Sequence, residues 1–233
     1  MRWRIADGYA ESADLPGVRI PGAPFPGTIG LAPSKEDLAR INAREQALIA
    51  RGGFALGPSA DDAVPADPGI ASEALRTVPP RETAGNLDIK QLSKGVRLAI
   101  PVSERGALFS IGDAHAAQGD GEVCVSAIEM SSTTTVRLQV RQDMSLQEPQ
   151  FQTPGVPLAS GPAYVTTAHG PDLMQSTKQA IRYMIEHLVQ AYGLSREDAY
   201  CLCSVAVDLK ISEVVDAPNW IVSAFLPLEI VRN

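Results

Sequence analysis

Three carboxylates and one imidazole, Asp113, His115, Asp120 and Glu122, fall within ten residues of this 233-residue chain. They sit in the run Gly106-Ala107-Leu108-Phe109-Ser110-Ile111-Gly112-Asp113-Ala114-His115-Ala116-Ala117-Gln118-Gly119-Asp120-Gly121-Glu122, with apolar stretches on both sides. Charged groups are costly to bury alone, so four ionisable groups between core-like segments call for a metal ion, a polar substrate or one another. On a strand, residues two apart point the same way. Asp113 and His115 therefore share a face, Asp120 and Glu122 share a face on a returning strand, and Ala116-Ala117-Gln118-Gly119 supplies the turn. One imidazole with carboxylates suits Zn²⁺ or Mn²⁺ with a position left open for water. Carboxylates with carbonyl oxygens suit Ca²⁺ instead. Such an ion makes hydrolytic chemistry available, and a carboxylate kept off it can act as a general base. A solvated polar hairpin is the competing reading, since no second histidine completes a paired zinc motif.

A second candidate lies in Gly85-Asn86-Leu87-Asp88-Ile89-Lys90, where Asn86 and Asp88 share a face under strand geometry and Gly85 permits close backbone approach. An Asx-type turn opening a strand explains the same residues without chemistry. His169 stands at a strand-to-helix junction, and His187 falls off the apolar stripe of its helix and reads as a surface residue. Cys124, Cys201 and Cys203 have apolar neighbours and read as buried structural thiols. Met130, Met174 and Met184 read as core. The sequence contains no Gly-x-Ser-x-Gly elbow, P-loop or Gly-x-Gly-x-x-Gly fingerprint.

The elements that must position these residues follow from pattern. Ser34-Lys35-Glu36-Asp37 resembles a capping box and opens a helix to about Arg51, which Gly52-Gly53 ends. Residues 55–82 are rich in Pro, Ala, Asp and Gly and read as a long irregular loop. Strands are expected at Thr28–Leu31, Val96–Val102, Gly106–Ile111, Glu122–Met130 and Thr133–Val140, the last alternating Val136, Leu138 and Val140 against Arg137, Gln139 and Arg141. Ala163–Thr167 is a further strand, Asp172–Tyr192 an amphipathic helix closed by Gly193, and Ser195 to about Val207 a second helix. Strands at Ile211–Val214 and Trp220–Leu226 complete the chain. The fold class is α+β: a β-rich region of sandwich-like antiparallel sheets over 1–160, then an α+β portion over 161–233 containing two helices.

The formal net charge of −7 and the lack of a basic cluster argue against nucleic acid and anionic membranes as partners. No apolar run approaches the roughly 20 residues of a membrane span. Met1–Ala10 reads as neither a signal nor a transit peptide, and three cysteines imply no disulfide framework. A reduced, cytoplasmic protein is the expectation.

These segments resemble the acetamidase/formamidase family of amide hydrolases. The resemblance is carried by Pro24-Phe25-Pro26-Gly27-Thr28-Ile29-Gly30-Leu31-Ala32-Pro33, Ala84-Gly85-Asn86-Leu87-Asp88-Ile89-Lys90, the Gly106–Glu122 run, and Thr166 through Leu202-Cys203-Ser204 to Ile211-Ser212-Glu213-Val214-Val215. It implies a cytoplasmic homo-oligomer that hydrolyses linear amides such as formamide or acetamide to a carboxylate and ammonia. It also implies a divalent metal, zinc first with calcium as alternative, on Asp113, His115 and Glu122. In that reading Glu122 or Asp120 manages protons, and Asn86 with Asp88 orients the amide. Two departures stand out. The family has a longer N-terminal β-rich region than this chain, which makes a truncated, non-catalytic metal-binding or assembly module the rival expectation. Ala84 also stands where the family often has glycine, tolerable if φ is negative there. A lactam or other cyclic amide is the alternative substrate.

Overall fold

The computed structural model describes residues 1–59, 61, 64–71, 74–154 and 161–230. In chain order these form β1 (Arg4–Ala6), β2 (Tyr9–Glu11), β3 (Arg19–Pro21), β4 (Phe25–Gly30), α1 (Lys35–Ala50), α2 (Pro68–Ala71), β5 (Ala84–Asn86), β6 (Arg97–Ala99) and β7 (Ser110–Ala117). They continue with β8 (Ile128–Glu129), β9 (Gln150–Thr153), β10 (Ala163–Gly170), α3 (Leu173–Tyr192), α4 (Arg196–Ala206), β11 (Asp208–Glu213) and β12 (Trp220–Pro227). The strands build three sheets, ordered β1-β2-β3, β5-β4-β7-β8 and β11-β12-β10-β9-β6. Every strand pair among the described residues is antiparallel.

The five-stranded sheet is the middle layer, and its central strands are apolar on both faces. On one face Ala180, Met184 and Leu188 of α3, at four-residue spacing and fully buried, meet Ala168, Val222, Ala224 and Leu226. On the other, Phe151, Val165, Ile221 and Phe225 pack against Ala84, Leu87, Ile89 and Leu92 at the β5 end of the four-stranded sheet. The architecture is therefore α+β, with antiparallel sheets stacked face to face and two substantial helices near the C-terminal end. The five-stranded sheet takes β6 and β9 from before residue 160 and β10 to β12 from after it. The three-stranded sheet closes over β7 and β8 through Ala10, Ala116, Ala117 and Ile128.

Local signals set the helix ends. Ser34 Oγ accepts from Asp37 N–H at 3.1 Å, and Ser195 Oγ accepts from Asp198 N–H at 3.0 Å. Asp172 caps α3 through Gln175 N–H at 2.8 Å, and Gly193 ends it in the left-handed region at φ 68°.

Several expectations are corrected. Residues 133–140 form no strand. After Met130 N–H bonds to Ala114 O, no described backbone group pairs with this segment, and all eight residues are exposed. The strand expected over Glu122–Met130 shrinks to β8, because Glu122 and Val125 have φ of 44° and 64° and a Val125 N–H to Glu122 O turn intervenes. The strand expected over Gly106–Ile111 instead starts at Ser110, since Gly106, Ala107 and Leu108 all have positive φ. Cys124, Cys201 and Met174 are exposed, and only Cys203 of the three thiols is buried. His187 is no plain surface residue: its ring stacks on Tyr164 of β10 at 3.4 Å between centroids. Its Nε2 is buried without a described partner, and burial holds its pKa down to about 4. Ala84 has φ 68°, so the negative φ that would make its methyl comfortable is not the one adopted. The 55–82 stretch is irregular apart from α2, with residues 60, 62, 63, 72 and 73 outside the described set.

The α3 cap offers a clean stability test. A Cβ added at Gly193 would meet nothing within 4 Å, so its whole cost is the left-handed backbone. Gly193→Ala is expected to lower unfolding free energy by about 1 kcal/mol, read as a lower urea midpoint with an unchanged slope.

Candidate functional site

His115 lies on β7 with its side chain almost wholly buried, edge-on to Phe25 of the paired strand β4 at 5.0 Å between ring centroids. Gln118 fixes its tautomer. The Gln118 amide donates to Asp88 O at 2.6 Å, which turns its oxygen toward His115 Nδ1 at 2.8 Å. Nδ1 must then carry a proton, and Nε2 is the ring nitrogen turned toward the acids. It lies 3.2 Å from Asp113 Oδ1, within hydrogen-bond distance, and 3.8 Å from Asp88 Oδ1. A proton or a cation must lie between these groups.

Backbone geometry aims the acids. Asp88, Asp113 and Glu122 have φ of 47°, 54° and 44°, left-handed values that aspartate adopts more readily than most residues and that are uncommon for glutamate. Gly27 on β4 makes the room: a Cβ there would lie 2.4 Å from Asp88 Oδ1, 2.8 Å from Asp113 Oδ2 and 2.8 Å from His115 Cε1. Asp216 completes the group from the turn after β11. Its Oδ2 accepts from Asn86 Nδ2–H at 2.6 Å, and Asn86 Oδ1 accepts from Thr28 Oγ1–H at 2.6 Å.

The structure brings Asn86, Asp88, Asp113, His115 and Glu122 into one neighbourhood. Two overlapping sets could hold an ion, Asp88/His115/Glu122, all buried, and Asp113/His115/Glu129, whose acids are exposed; within each set the ligand atoms lie within 4.8 Å of one another. Asp120 belongs to neither set. It accepts from Gln91 Nε2–H at 2.9 Å and pairs with Lys90 Nζ at 3.0 Å. His169 also lies apart, its Nδ1 2.7 Å from Glu148 Oε2. The residues fit a divalent cation on three grounds: Asp88 Oδ1 is buried with no hydrogen-bond partner, His115 Nε2 has no donor facing it, and Gly27 leaves the space open.

Sequence reading did not single out Gly27, Thr28, Gln118, Glu129, Glu213 or Asp216 for the site. Gln118 was visible inside the His115 run. Glu213 and Asp216 stand about a hundred residues away, and two acids amid the apolar end of β11 were their only local signal. Glu213 is fully buried; its Oε1 accepts from Val215 N–H and from Asp216 N–H, the latter at 2.6 Å, and its Oε2 has no partner among the described residues.

Electrostatics follow from this crowding. Burial, then the charges of Glu122, Asp216 and Asp113, pushes the Asp88 carboxyl up to about 9. Burial lifts Glu122 to about 7 against the pull of His115, and lifts Glu213 to about 8. Asp216 is raised as well, again by burial first.

The profile of the Acetamidase/Formamidase family matches residues 1–233. The formamidase of Methylophilus methylotrophus is 34% identical over 258 residues, covering 98% of this chain and 62% of that protein. The crystal structure of an acetamidase from Bacillus halodurans superposes with a TM-score of 0.73 at 26% identity, covering 98% of this chain and 61% of that one. A gamma lactamase from Delftia acidovorans gives a TM-score of 0.58 at 32% identity, with 99% of this chain and 63% of that one covered. The chain thus spans about three fifths of the length of these relatives.

Raised carboxyl pKa values have a sign. Each acid binds its proton more tightly in the folded chain, so the stability it contributes is present below the ordinary carboxylate range and is lost as pH rises through about 7 for Glu122, 8 for Glu213 and 9 for Asp88. His187, held down at about 4 from 6.5, opposes this only below 6.5. In chelator, the thermal midpoint is expected to fall steadily from pH 6.5 to 9. A saturating divalent cation is expected to flatten that decline, because it replaces the protons.

Proposed function

The chain belongs to the acetamidase/formamidase family, and on that premise we propose that it hydrolyses short amides to a carboxylate and ammonia at the His115 cluster, with a divalent cation bound. The observation that carries this reading is the buried, partnerless Asp88 Oδ1 standing with Asp113 around His115 Nε2. Asp88, His115 and Glu122 are the residues that would hold the cation, with Asp113 and Glu129 as the alternative acids beside the same imidazole. One nitrogen and two carboxylate oxygens, the donors of either set, suit Zn²⁺, and Ca²⁺ would need further oxygen ligands. Bound there, the cation would supply Lewis-acid chemistry, polarising a carbonyl and acidifying water.

The remaining work falls to the chain itself. Gln118 holds the His115 ring through Nδ1 and is itself held by Asp88 O, so the imidazole cannot rotate away. Where Asp113 and Glu129 hold the cation beside His115, Glu122 stays off it, and its carboxyl, raised by burial to about 7, can take up and return a proton, which suits the passage of a proton to a departing amine. Asp120, engaged by Lys90 and Gln91, is less well placed for that role. Asn86 spends one Nδ2–H on Asp216 and its oxygen on Thr28, leaving the second Nδ2–H for an amide oxygen. Asp88, on the same side, limits how the amide can turn.

The test is ammonia release from formamide, acetamide and propionamide, and ring opening of a five-membered lactam, with chelator and after adding back Zn²⁺. The expected result is release that chelator abolishes and Zn²⁺ restores. His115→Ala should lower kcat/KM by roughly 100-fold or more, and Gln118→Leu should weaken cation affinity by roughly 10- to 100-fold. Turnover indifferent to chelator would remove the cation from the reading. No turnover on any of the four by folded, cation-loaded protein would overturn the enzyme reading in favour of a binding module.

A further inference from the structure

Glu213 is a fully buried acid that the hydrolysis proposed above does not use. It ends edge strand β11, and it is gripped from two directions. Through its side chain, Oε1 accepts from the backbone N–H groups of Val215 and Asp216. Through its backbone neighbours, Gly121 N–H donates to Ser212 O at 3.0 Å and Val214 N–H donates to Gly121 O at 3.3 Å, a parallel bridge centred on Glu213. Each grip leads to a different site acid. The side-chain clamp sets the turn that carries Asp216, whose Oδ2 holds Asn86 at 2.6 Å. The bridge holds Gly121, and Glu122 is the next residue.

We propose that Glu213 is a positioning residue: its carboxyl group is the template that aims Asp216, and through Asp216 the amide-orienting side chain of Asn86. Two consecutive N–H groups converging on one carboxyl oxygen specify the 214–216 turn far more tightly than water could. Removing that oxygen orphans both donors beside a buried acid, and the turn has no other described acceptor to fall back on. The backbone bridge is independent of the side chain, so Glu122 should stay in place when the clamp is lost. The predicted lesion therefore falls on Asp216 and on the side chains it bonds, Asn86 and Asp88, and spares Glu122.

The kinetic half of this inference rests on the amidase reading; the spectroscopic half does not. In the full chain, the Asn86 side-chain amide is followed by NMR alongside acetamide turnover in wild type, E213A, E213Q and E213D. Wild type and E213Q, which keeps the Oε1 acceptor, should show an Asn86 Nδ2–H shifted downfield by its bond to Asp216. E213A, and E213D with its carboxylate one methylene short, should lose that shift. Turnover should fall about 100-fold in kcat with KM within about threefold for E213A and E213D, and return to within about fivefold of wild type in E213Q. If E213A does not fold, the E213D and E213Q pair decides the same question. An unchanged Asn86 resonance in E213D, or loss of the shift in E213Q as severe as in E213D, overturns the inference. A shift lost in E213D and kept in E213Q, in a wild type that hydrolyses no amide, sustains the positioning role while the amidase reading falls.

Discussion

The imidazole of His115 turns its Nε2 to the carboxyl groups of Asp113 and Asp88, and much of the surrounding structure exists to hold it there. Gln118 supplies the acceptor that fixes the proton on Nδ1 and is anchored in turn by Asp88 O. Phe25 closes the edge of the ring, and Gly27 withholds a side chain from the space that the acids occupy. Removing any of these would let the ring rotate or a donor enter, and the crowding of acids around Nε2 would relax. Such an arrangement is poor for folding and useful for capturing a positive charge, which ties the local geometry to the chemistry argued for it.

The cost extends to the backbone. Asp88, Asp113 and Glu122 all occupy left-handed φ, where a side chain crowds its own carbonyl by about 1–2 kcal/mol per residue. Three site acids sharing that conformation is a pattern with a purpose: positive φ swings a side chain off the alternation of a strand and lets residues from three separate segments converge. The core compensates. Packing of α3 on the central strands, and of those strands on the β5 end of the second sheet, holds the segments that bear the strain.

That convergence also marks the limit of what pattern reading could reach. The helices were legible because their end signals agree with the pattern between them: Asp172 and Gly193 bound the 3.6-residue stripe of α3, and Ser195 opens α4. The buried strands β10 and β12 were legible as apolar runs. The nearness of Asp113 to His115 was legible as an i, i+2 pair on β7, although at φ 54° Asp113 reaches the imidazole off the alternation of the strand. Alternation failed at Glu122, where a turn replaces the expected strand, and at 133–140, where a strand-like pattern finds no described partner. Glu213 and Asp216 were invisible for another reason: their relation to Gly121 and Asn86 is a long-range backbone bridge and one hydrogen bond, and neither leaves a periodic trace.

A second set of buried charges sharpens the interpretation of the first. Glu82 is partly buried, and burial alone would raise its pKa. Instead Arg44, His169 and Arg40 hold it well below the usual carboxylate range. Arg40 Nη1 and Arg44 Nη1 reach Glu82 Oε1 at 2.8 and 2.6 Å, and His169 Nε2 lies 3.6 Å from Oε2. Nearby, Arg81 pairs with Glu45 at 2.8 Å, both side chains buried. Where the fold uses buried acids to fasten α1 to the sheets, it supplies a guanidinium for each. Around His115 it gathers Asp88, Asp113, Glu122 and Asp216 and places no arginine or lysine among their described partners. The same chain therefore contains both solutions to a buried carboxylate. The unbalanced one stands where an incoming cation would complete the charge balance that protein side chains complete at Glu82.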